Sequence, residues 1–505
     1  MSETVVNLWS IPLLVVIPIL TAIVLNLLYN RVRAIRVASV VSAAALLVVS
    51  IVSPYGLQWF TGQPGVASDG SYTYSTSIFS WKLSLEYYFG PLQQILIFTS
   101  SLLLLFVVVI STRSLKKDFG PYVAIMFLTY FSTVAVIMVN DFYHLWIVVE
   151  IGSLLVAGLV AASGAGSAQK AALKYTFFSA LSGSGLAIAL ALILGITGYA
   201  NISDAISFLM MTDLGNMYNV LYISFAFLML SWIYAGGLAP IHPLKSDVYR
   251  SAFPHATVLL QAQSKVMLVA IGLVLLRMFG GLPFAREAML SISLLTMILG
   301  VVMALIQTDF RWILAYLIVS HSGLVTVGIS LGTPLGIVGG LFQAVNDIVY
   351  MSVLLLCCEM LLYFNNGTSI RSSGGIAKKV PWLAAFAILG AFAASGIPPF
   401  NGFQSELILI QAALGGGLPE VAAVILMVSV STFIALFRGI YSIFLKPSTN
   451  PLPEGSESAS SPPRGMPIIL GILVAITLIL GVYPQLALDF LTESAVKVVY
   501  VPWVP

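Results

Sequence analysis

The sequence predicts an all-α polytopic membrane protein with about 14 transmembrane helices, and three observations support this fold class. Of the 505 residues, 59% are hydrophobic and 8% are charged, whereas an ordinary soluble domain carries about 25% charged residues. The mean hydropathy is +1.02. Apolar stretches long enough to cross a bilayer recur along the whole chain. These features exclude a water-soluble enzyme, a disordered protein and a nucleic-acid-binding protein.

A membrane-spanning helix needs about 20 largely apolar residues. Fourteen segments of the chain meet this requirement. They lie near residues 11–29, 37–54, 90–112, 120–139, 142–163, 172–197, 218–241, 254–277, 288–307, 312–331, 335–363, 381–414, 419–445 and 467–489.

The distribution of basic residues predicts the orientation, because Lys and Arg concentrate in cytoplasmic loops. Sixteen of the 22 Lys and Arg residues follow odd-numbered segments, whereas only Lys82, Arg277 and Arg286 lie in loops after even-numbered segments. We therefore expect both termini to lie outside. The net charge of +3 is too small to imply an acidic partner.

Two connections differ in composition from the rest of the chain. Residues 446–466 are rich in Pro and Ser, which predicts a flexible cytoplasmic linker. Residues 55–89 contain Gly, Ser, Tyr and Trp, and we expect this long connection to cover the outer surface and to allow a short strand.

A Gly/Pro motif interrupts two apolar segments. The run from Gly237 to His242, with Pro240 inside it, recurs from Gly396 to Asn401 with Pro398 and Pro399. Proline and glycine break the helical hydrogen-bond ladder, and free carbonyls are tolerated at membrane depth only inside a protein or beside water. Five segments separate the copies, so they have opposite senses in the membrane, which is typical of an ion-transport path.

A second pair of motifs shows the same separation: Glu150-Ile-Gly152 in segment five resembles His321-Ser-Gly323 in segment ten. The two matches predict two inverted five-helix repeats with broken helices 7 and 12. The predicted organisation is N-terminal helices 1–3 with the outer loop at 1–119, a first repeat at 120–277, a second at 288–445, the linker at 446–466, and helix 14 with its tail at 467–505.

Five ionisable side chains lie inside apolar segments, namely Glu150, Lys265, His321, Asp347 and Glu406. A charge at the bilayer centre costs at least about 2.5 kcal/mol, so each needs partners or water. Burial favours the neutral forms of carboxylates and lysines, which can then exchange protons. A row of such groups is what a proton relay requires.

Structural interpretations of these residues remain open. Glu150 can pair with Lys174 as a bridge, and Lys265 can extend its ammonium towards the interface. His321 can be a satisfied core histidine, and Asp347 beside Asn346 can be an interhelical clasp.

Other chemistry has no signal in the sequence. We find no phosphate-binding loop, no dinucleotide fingerprint and no Cys-x-x-Cys motif, so we expect no cofactor, no metal and no active site of the chain's own. The adjacent Cys357 and Cys358 are poorly placed for a disulfide and are interpreted as apolar packing.

The motifs resemble the antiporter-like subunits shared by respiratory complex I, Mrp cation/proton antiporters and membrane-bound hydrogenases. The resemblance covers most of the chain and is best from about 120 to 440. It rests on NDFYHLWIVVEIGSLL, AALKYTFFSAL, GLAPIHPLKSD, SKVMLVAIGLVLLR, DFRWILAYLIVSHSGLVTVGI, GGLFQAVNDIVYMSVLLL and ASGIPPFNGFQSELILI. The family implies fourteen helices, two inverted units, a prokaryotic cell membrane and several hydrophobic partner subunits.

The resemblance also implies residue roles. Glu150, Lys265, His321 and Glu406 match the family's proton path, and Lys174 matches a lysine that often follows in helix six. The chain departs from the pattern on helices seven and eleven. Ala235 stands at the usual helix-seven lysine, and Gln343, Asp347 and Met351 replace the usual His, His and Lys of helix eleven.

These departures leave three hypotheses. In the first, the chain relays protons, or exchanges a cation such as sodium for protons, within an ion-translocating oxidoreductase or an antiporter, with Asp347 replacing a histidine. In the second, it is a diverged paralogue that serves as a structural connector. The third, a free-standing solute transporter, is disfavoured because the two breaks carry little polar chemistry beyond His242 and Asn401.

Overall fold

The structure is a computed structural model. It describes residues 10–28, 31–53, 72–77, 84–114, 119–164, 166–212, 215–365, 367–371, 374–447 and 465–499. Among these residues, twelve helices are long and apolar enough to cross a membrane, and a bent pair raises the number to thirteen. The predicted all-α polytopic fold is therefore confirmed, while the count of fourteen passes stays a prediction. Most of the predicted linker lies outside the described residues.

The chain forms two compact units. Unit 1 takes in the described residues of Met1–Ala235, Ala262–Arg286 and Phe490–Pro505. Unit 2 takes in Gly236–Gln261 and the described residues of Glu287–Asp489.

Unit 1 contains the first helices and a small hairpin. Its elements are α1 (Ser10–Leu27), α2 (Val32–Val52), β1 (Tyr72–Ser77), β2 (Ser84–Phe89), α3 (Pro91–Ser114), α4 (Phe119–Met138), α5 (Phe142–Ala161), α6 (Gly166–Thr197), α7 (Ile202–Met211) and α8 (Tyr218–Gly236). Strands β1 and β2 pair antiparallel, with Tyr72 opposite Phe89. The strand allowed by the composition of 55–89 is thus a hairpin.

The remaining elements follow α8. They are α9 (His242–Ser251), α10 (Pro254–Phe279), α11 (Ala285–Ile306), α12 (Phe310–Ser330), α13 (Pro334–Asn365), α14 (Ile376–Lys379), α15 (Pro381–Ala394), α16 (Asn401–Gly415), α17 (Pro419–Ile440), α18 (Met466–Val482) and α19 (Gln485–Val499). Helices α10 and α19 each contribute residues to both units.

Helices α12 and α13 form the centre of unit 2. The apolar window of α12 is entirely buried. The two helices approach each other closely at two glycines, Gly328 of α12 and Gly340 of α13. A Cβ on Gly328 would lie only 2.5 Å from the Cα of Gly340. Only glycine permits this separation, and it brings the polar side chains of both helices within hydrogen-bonding reach.

The helix ends at both places where the Gly/Pro motif occurs. Helix α8 stops at Gly236 and α9 begins at His242, while α15 stops at Ala394 and α16 begins at Asn401. Gly237 and Gly396 take φ of +66° and +63°, a backbone region that favours glycine. Each pair of short helices therefore replaces one continuous helix.

Each unit also contains the same helix-start arrangement. Asp141 caps α5 and pairs through its backbone with Asn201, while Asp309 caps α12 and pairs with Ser369. In each case the partner lies 60 residues further along (201 against 141, 369 against 309). This correspondence supports the predicted repeat, whose boundaries stay a prediction.

The fourteenth predicted segment, 467–489, is not one straight helix. Helix α18 ends at Val482, and α19 begins at Gln485 after a bend of 67°. Tyr483 takes φ −127° and ψ 72°, because the residue before Pro484 is disfavoured in the helical region.

Candidate functional site

One face of α13 carries three polar side chains in unit 2. Gln343, Asp347 and Tyr350 are four and three residues apart, so they lie along one side of the helix. All three are fully buried. His321 of α12 meets this face, and its Nδ1 lies 2.8 Å from Asp347 Oδ1.

The contacts continue from His321 across α13 to α16. The Tyr350 hydroxyl lies 3.2 Å from His321 Nδ1 and accepts a hydrogen bond from Gln343 Nε2 at 2.8 Å. Ser405 on α16 donates to Gln343 Oε1 at 2.6 Å. Three helices are thus joined by a hydrogen-bonded chain from Asp347 to Ser405, which we call the central polar chain.

Glu406 follows Ser405 and lies beside the helix break. Its residue surface is 6% exposed, and its carboxylate accepts a hydrogen bond from Ser429 of α17. A Cβ on Gly396 would lie 2.2 Å from Glu406 Oε2. The absence of a side chain at residue 396 therefore makes room for this carboxylate.

A pair of buried amides holds the start of α16 against α13. Asn401 Nδ2 donates to Asn346 Oδ1 at 2.9 Å, and Asn346 Nδ2 donates to the Asn401 carbonyl at 3.0 Å. Asn346 thus forms one interhelical clasp. Asp347 makes a second interhelical contact, with His321 of α12.

The break between α8 and α9 carries a buried lysine. Lys245 of α9 is 3% exposed, and a Cβ on Gly237 would lie 2.4 Å from Lys245 Cγ. Both breaks therefore place an ionisable side chain of the second half-helix against a glycine of positive φ.

Glu150 lies on α5 of unit 1 and is only half-buried. A Cβ on Gly183 of α6 would lie 1.2 Å from Glu150 Oε1, so the carboxylate occupies the notch at this glycine. Ile147 and Leu154 nearby on α5 are 45% and 55% exposed. Glu150 thus lies beside an apolar face that the described residues leave open.

Lys265 lies on α10 and is fully buried. Its neighbour Gln263 donates to Ser132 of α4 at 2.7 Å, and Ser264 donates to the Ala235 carbonyl at 2.7 Å. A Cβ on Gly152 would lie 2.7 Å from both Gln263 Nε2 and Ser132 Oγ. Because Gly152, two residues after Glu150, has no side chain, Gln263 of α10 and Ser132 of α4 can form this hydrogen bond.

The predicted relay residues are divided between the units. Glu150, Lys174 and Lys265 belong to unit 1, while His321, Asp347 and Glu406 belong to unit 2. Lys174 is exposed on α6. Within the described residues, no group of three or more His, Cys, Asp or Glu side chains is placed to hold a metal ion.

Sequence reasoning misses several polar residues of this region. Tyr350 and Ser405 carry no charge and are common in helices, so nothing in one sequence marks them. Counting basic residues places Lys245 in a loop, although its position five residues after Pro240 is a usable signal. His255 and Glu359, which form a buried pair, lie near the ends of predicted segments and carry no signal of their own.

The fold and these contacts define a class: a polytopic helical membrane protein with interrupted helices and buried ionisable groups at the breaks. Residues 139–435 match the family model described as NADH:quinone oxidoreductase/Mrp antiporter, TM. The chain belongs to this family of antiporter-like membrane subunits.

Three related proteins align with most of this chain. An uncharacterized protein from Methanocaldococcus jannaschii is 31% identical over 488 residues, which cover 96% of this chain and 97% of that protein. An NADH-quinone oxidoreductase subunit of Streptomyces griseus is 28% identical, covering 71% of this chain and 67% of that protein. A subunit of the Na(+)/H(+) antiporter of Alkalihalophilus pseudofirmus is 27% identical, covering 68% and 69%.

Solved structures share the fold over nearly the whole chain. A chain of the Mrp complex from Dietzia sp. has a TM-score of 0.84 at 22% identity and covers 98% of each chain. A chain of the membrane-bound sulfane sulfur reductase, an archaeal respiratory membrane complex, has a TM-score of 0.85 at 21% identity and covers 97% of this chain and 98% of that one.

Proposed function

We propose that the chain is a proton-translocating, antiporter-like subunit of a multisubunit complex in a prokaryotic cell membrane. The observation that carries this proposal is the central polar chain, which joins two ionisable side chains, Asp347 and His321, to Ser405. Glu406 is the next residue after Ser405 in the sequence. Hydrogen-bonded groups buried in a membrane are expensive, and a proton path is the usual function that requires them.

The chemistry of each side chain in the central polar chain decides whether it can carry a proton. His321 and Asp347 are hydrogen-bonded to each other, and Tyr350 can accept and donate a hydrogen bond through its hydroxyl. The Gln343 amide donates hydrogen bonds but does not take up a proton at accessible pH. Gln343 therefore orients Tyr350 and Ser405, and the proton passes between the Tyr350 hydroxyl and Glu406 through water.

His321 has a ring nitrogen that can bind such a water molecule. Its Nε2 is buried and makes no hydrogen bond within the part of the chain that the structure describes. Buried nitrogens of this kind are normally satisfied by ordered water. We therefore assign His321 a second contact, to water, opposite its contact with Asp347.

The first half of the relay uses Glu150, Lys174 and Lys265, with Lys245 at the break. A function for Lys174 requires a neighbouring subunit to cover the exposed face of α6, where Leu173 and Phe177 are 76% and 71% exposed. Covering this face would also desolvate Glu150. We therefore expect the chain to contact other hydrophobic subunits and lipid, and to transport protons, with sodium as the alternative ion. We expect both termini to lie outside.

The test is proton uptake by the intact assembly. The assembly is purified through a tag on this chain and reconstituted into liposomes that contain a trapped pH-sensitive dye. Asp347→Asn keeps the side-chain shape but removes the ionisable group, and we expect uptake to fall about tenfold or more. Glu420→Gln, which alters an exposed carboxylate at the start of α17, is the matched control and should behave as wild type.

A second candidate function follows from Gln343. Because this amide occupies the centre of the polar chain, the subunit can instead be a structural connector whose path is interrupted there. Unchanged uptake in both Asp347→Asn and Glu406→Gln would favour the connector. Recovery of the chain alone, without hydrophobic companions, would contradict both candidates and favour a free-standing transporter.

A further inference from the structure

A second buried histidine–carboxylate pair lies in unit 2, outside the central polar chain. His255 is in the first turn of α10 and Glu359 is on α13. His255 Nδ1 lies 3.2 Å from Glu359 Oε1, and the residues are 1% and 5% exposed. The ring of His255 also stacks on Phe253, with a centroid distance of 5.4 Å.

The pair lies near the ends of both helices rather than at their middles. Glu359 is six residues from the end of α13, or about 9 Å along the helix axis. Arg311, at the start of α12, donates to the Ala252 carbonyl just before α10. This end of unit 2 carries the basic residues that predict the cytoplasmic side.

Two charged residues at the start of α12 lie close to the pair or to its neighbour Cys358. Arg311 of α12 acts electrostatically on Glu359, and Asp309, which caps α12, acts on the neighbouring Cys358. One cation and one anion from α12 therefore accompany the histidine of α10 and the carboxylate of α13.

A polar seam leads inwards from the pair between α10 and α13. Gln261 of α10 donates to the Ile348 carbonyl at 3.0 Å and to Ser352 Oγ at 3.4 Å. Because His255 meets Glu359 and Gln261 meets Ser352, the two helices run antiparallel here. Lys265 lies one turn beyond Gln261 on α10, and Asp347 lies five residues before Ser352 on α13.

Two buried acceptors on this seam make no hydrogen bond within the described residues. They are Glu359 Oε2 and Gln261 Oε1. Leaving a buried oxygen without a hydrogen bond is unfavourable, and water relieves this cost where several polar groups converge. Six residues of helix, or about 9 Å, separate His255 from Gln261 along α10, a distance that two or three waters bridge.

We propose that His255 and Glu359 form the proton-loading site on the cytoplasmic side, and that the α10–α13 seam carries the proton inwards. This inference rests on the proposed function of the chain. A proton from cytoplasmic water binds the hydrogen-bonded pair of His255 and Glu359. The proton then leaves for a seam water, and the pair returns to its first state.

The experiment measures proton uptake by the intact assembly in dye-loaded liposomes across a range of external pH. Glu359→Gln keeps the shape of the side chain and removes its charge, so uptake should fall about tenfold or more and lose its dependence on external pH. Glu359→Asp keeps the ionisable group and should retain most of the activity. His255→Gln should behave like Glu359→Gln, and Glu420→Gln should match wild type.

The alternative is that Glu359 only stabilises the first turn of α10, whose free N–H groups favour a carboxylate. In that case Glu359→Gln would lower the yield or melting temperature while uptake per assembled complex stays within twofold of wild type, and the proposal would be overturned. Asp347→Asn separates the two levels of inference. If it abolishes uptake while Glu359→Gln does not, only the loading site fails; if neither alters uptake, the proposed function fails as well.

Discussion

The backbone of Gly396 lies directly against the carboxylate of Glu406, ten residues later in the chain. A Cβ at residue 396 would approach Glu406 Oε2 to 2.2 Å. The break in the helix thus serves two purposes. It frees backbone groups at membrane depth, and it opens the space that an ionisable side chain fills.

Gly396→Ala tests this relationship. The methyl group would displace Glu406 and disturb its hydrogen bond with Ser429, so we expect proton uptake to fall several-fold. An alanine at positive φ also costs about 1–2 kcal/mol. Gly417→Ala is the matched control, because Gly417 has φ +72° but nothing within 4 Å of its Cβ position. Equal uptake by the two variants would mean that the position of Glu406 is unimportant.

Tyr350→Phe tests the bridge between His321 and Gln343. The variant removes one hydroxyl and leaves the Gln343 Nε2 donor without its acceptor, which should cost about 1 kcal/mol of stability. Uptake should fall in parallel with Asp347→Asn if the hydroxyl carries the proton. Tyr222→Phe, at a tyrosine that is 40% exposed on α8, provides the control. Uptake of wild-type rate in Tyr350→Phe would show that water bypasses this residue.

The face of α13 shows what the sequence can predict. Asp347 and His321 can be singled out as candidate site residues because a charge in an apolar segment is visible in the sequence and has few inexpensive explanations. Their helical spacing also places Gln343 on the same face. The structure adds the neighbour, since only the packing of α12 on α13 brings His321 to Asp347.

Some features of the site cannot be predicted from the sequence because they depend on tertiary packing. His255 and Glu359 meet because α10 runs antiparallel beside α13, and no local pattern specifies that neighbour. Lys245 escapes because counting basic residues does not separate a buried lysine in a half-helix from a solvated one. Glu150 is half-buried, and the sequence alone does not show how much of its side chain the rest of the chain covers.

Lys245→Met tests whether the buried lysine at the first break belongs to the relay. Methionine fills a similar volume against Gly237 but carries no charge, so the fold should persist while uptake falls several-fold. Lys378→Met, at an exposed lysine of α14, is the matched variant and should be neutral. A wild-type uptake rate in Lys245→Met would show that Lys245 contributes only to packing.

Asp141→Asn tests the electrostatics at the start of α5. Asp141 Oδ1 accepts a hydrogen bond from the His144 backbone N–H at 2.7 Å, and burial raises the pKa of this carboxyl to about 6, with a further contribution from Glu86. Between the ordinary value of 3.8 and about 6, the unfolded chain releases this proton while the folded chain keeps it. The stability contributed by the protonated form is therefore complete below the ordinary value and is lost as the pH rises through the pKa of the folded state.

Asparagine retains the helix cap and cannot ionise, so Asp141→Asn should flatten the decline in melting temperature between pH 4 and pH 6. The measurement is thermal unfolding of the purified assembly across this range, followed through this chain. Asp489→Asn, at an exposed carboxylate of α19, should reproduce the wild-type profile. Identical slopes for wild type and Asp141→Asn would show that the pKa of Asp141 is not raised in the folded protein, because water relieves its burial at the start of α5.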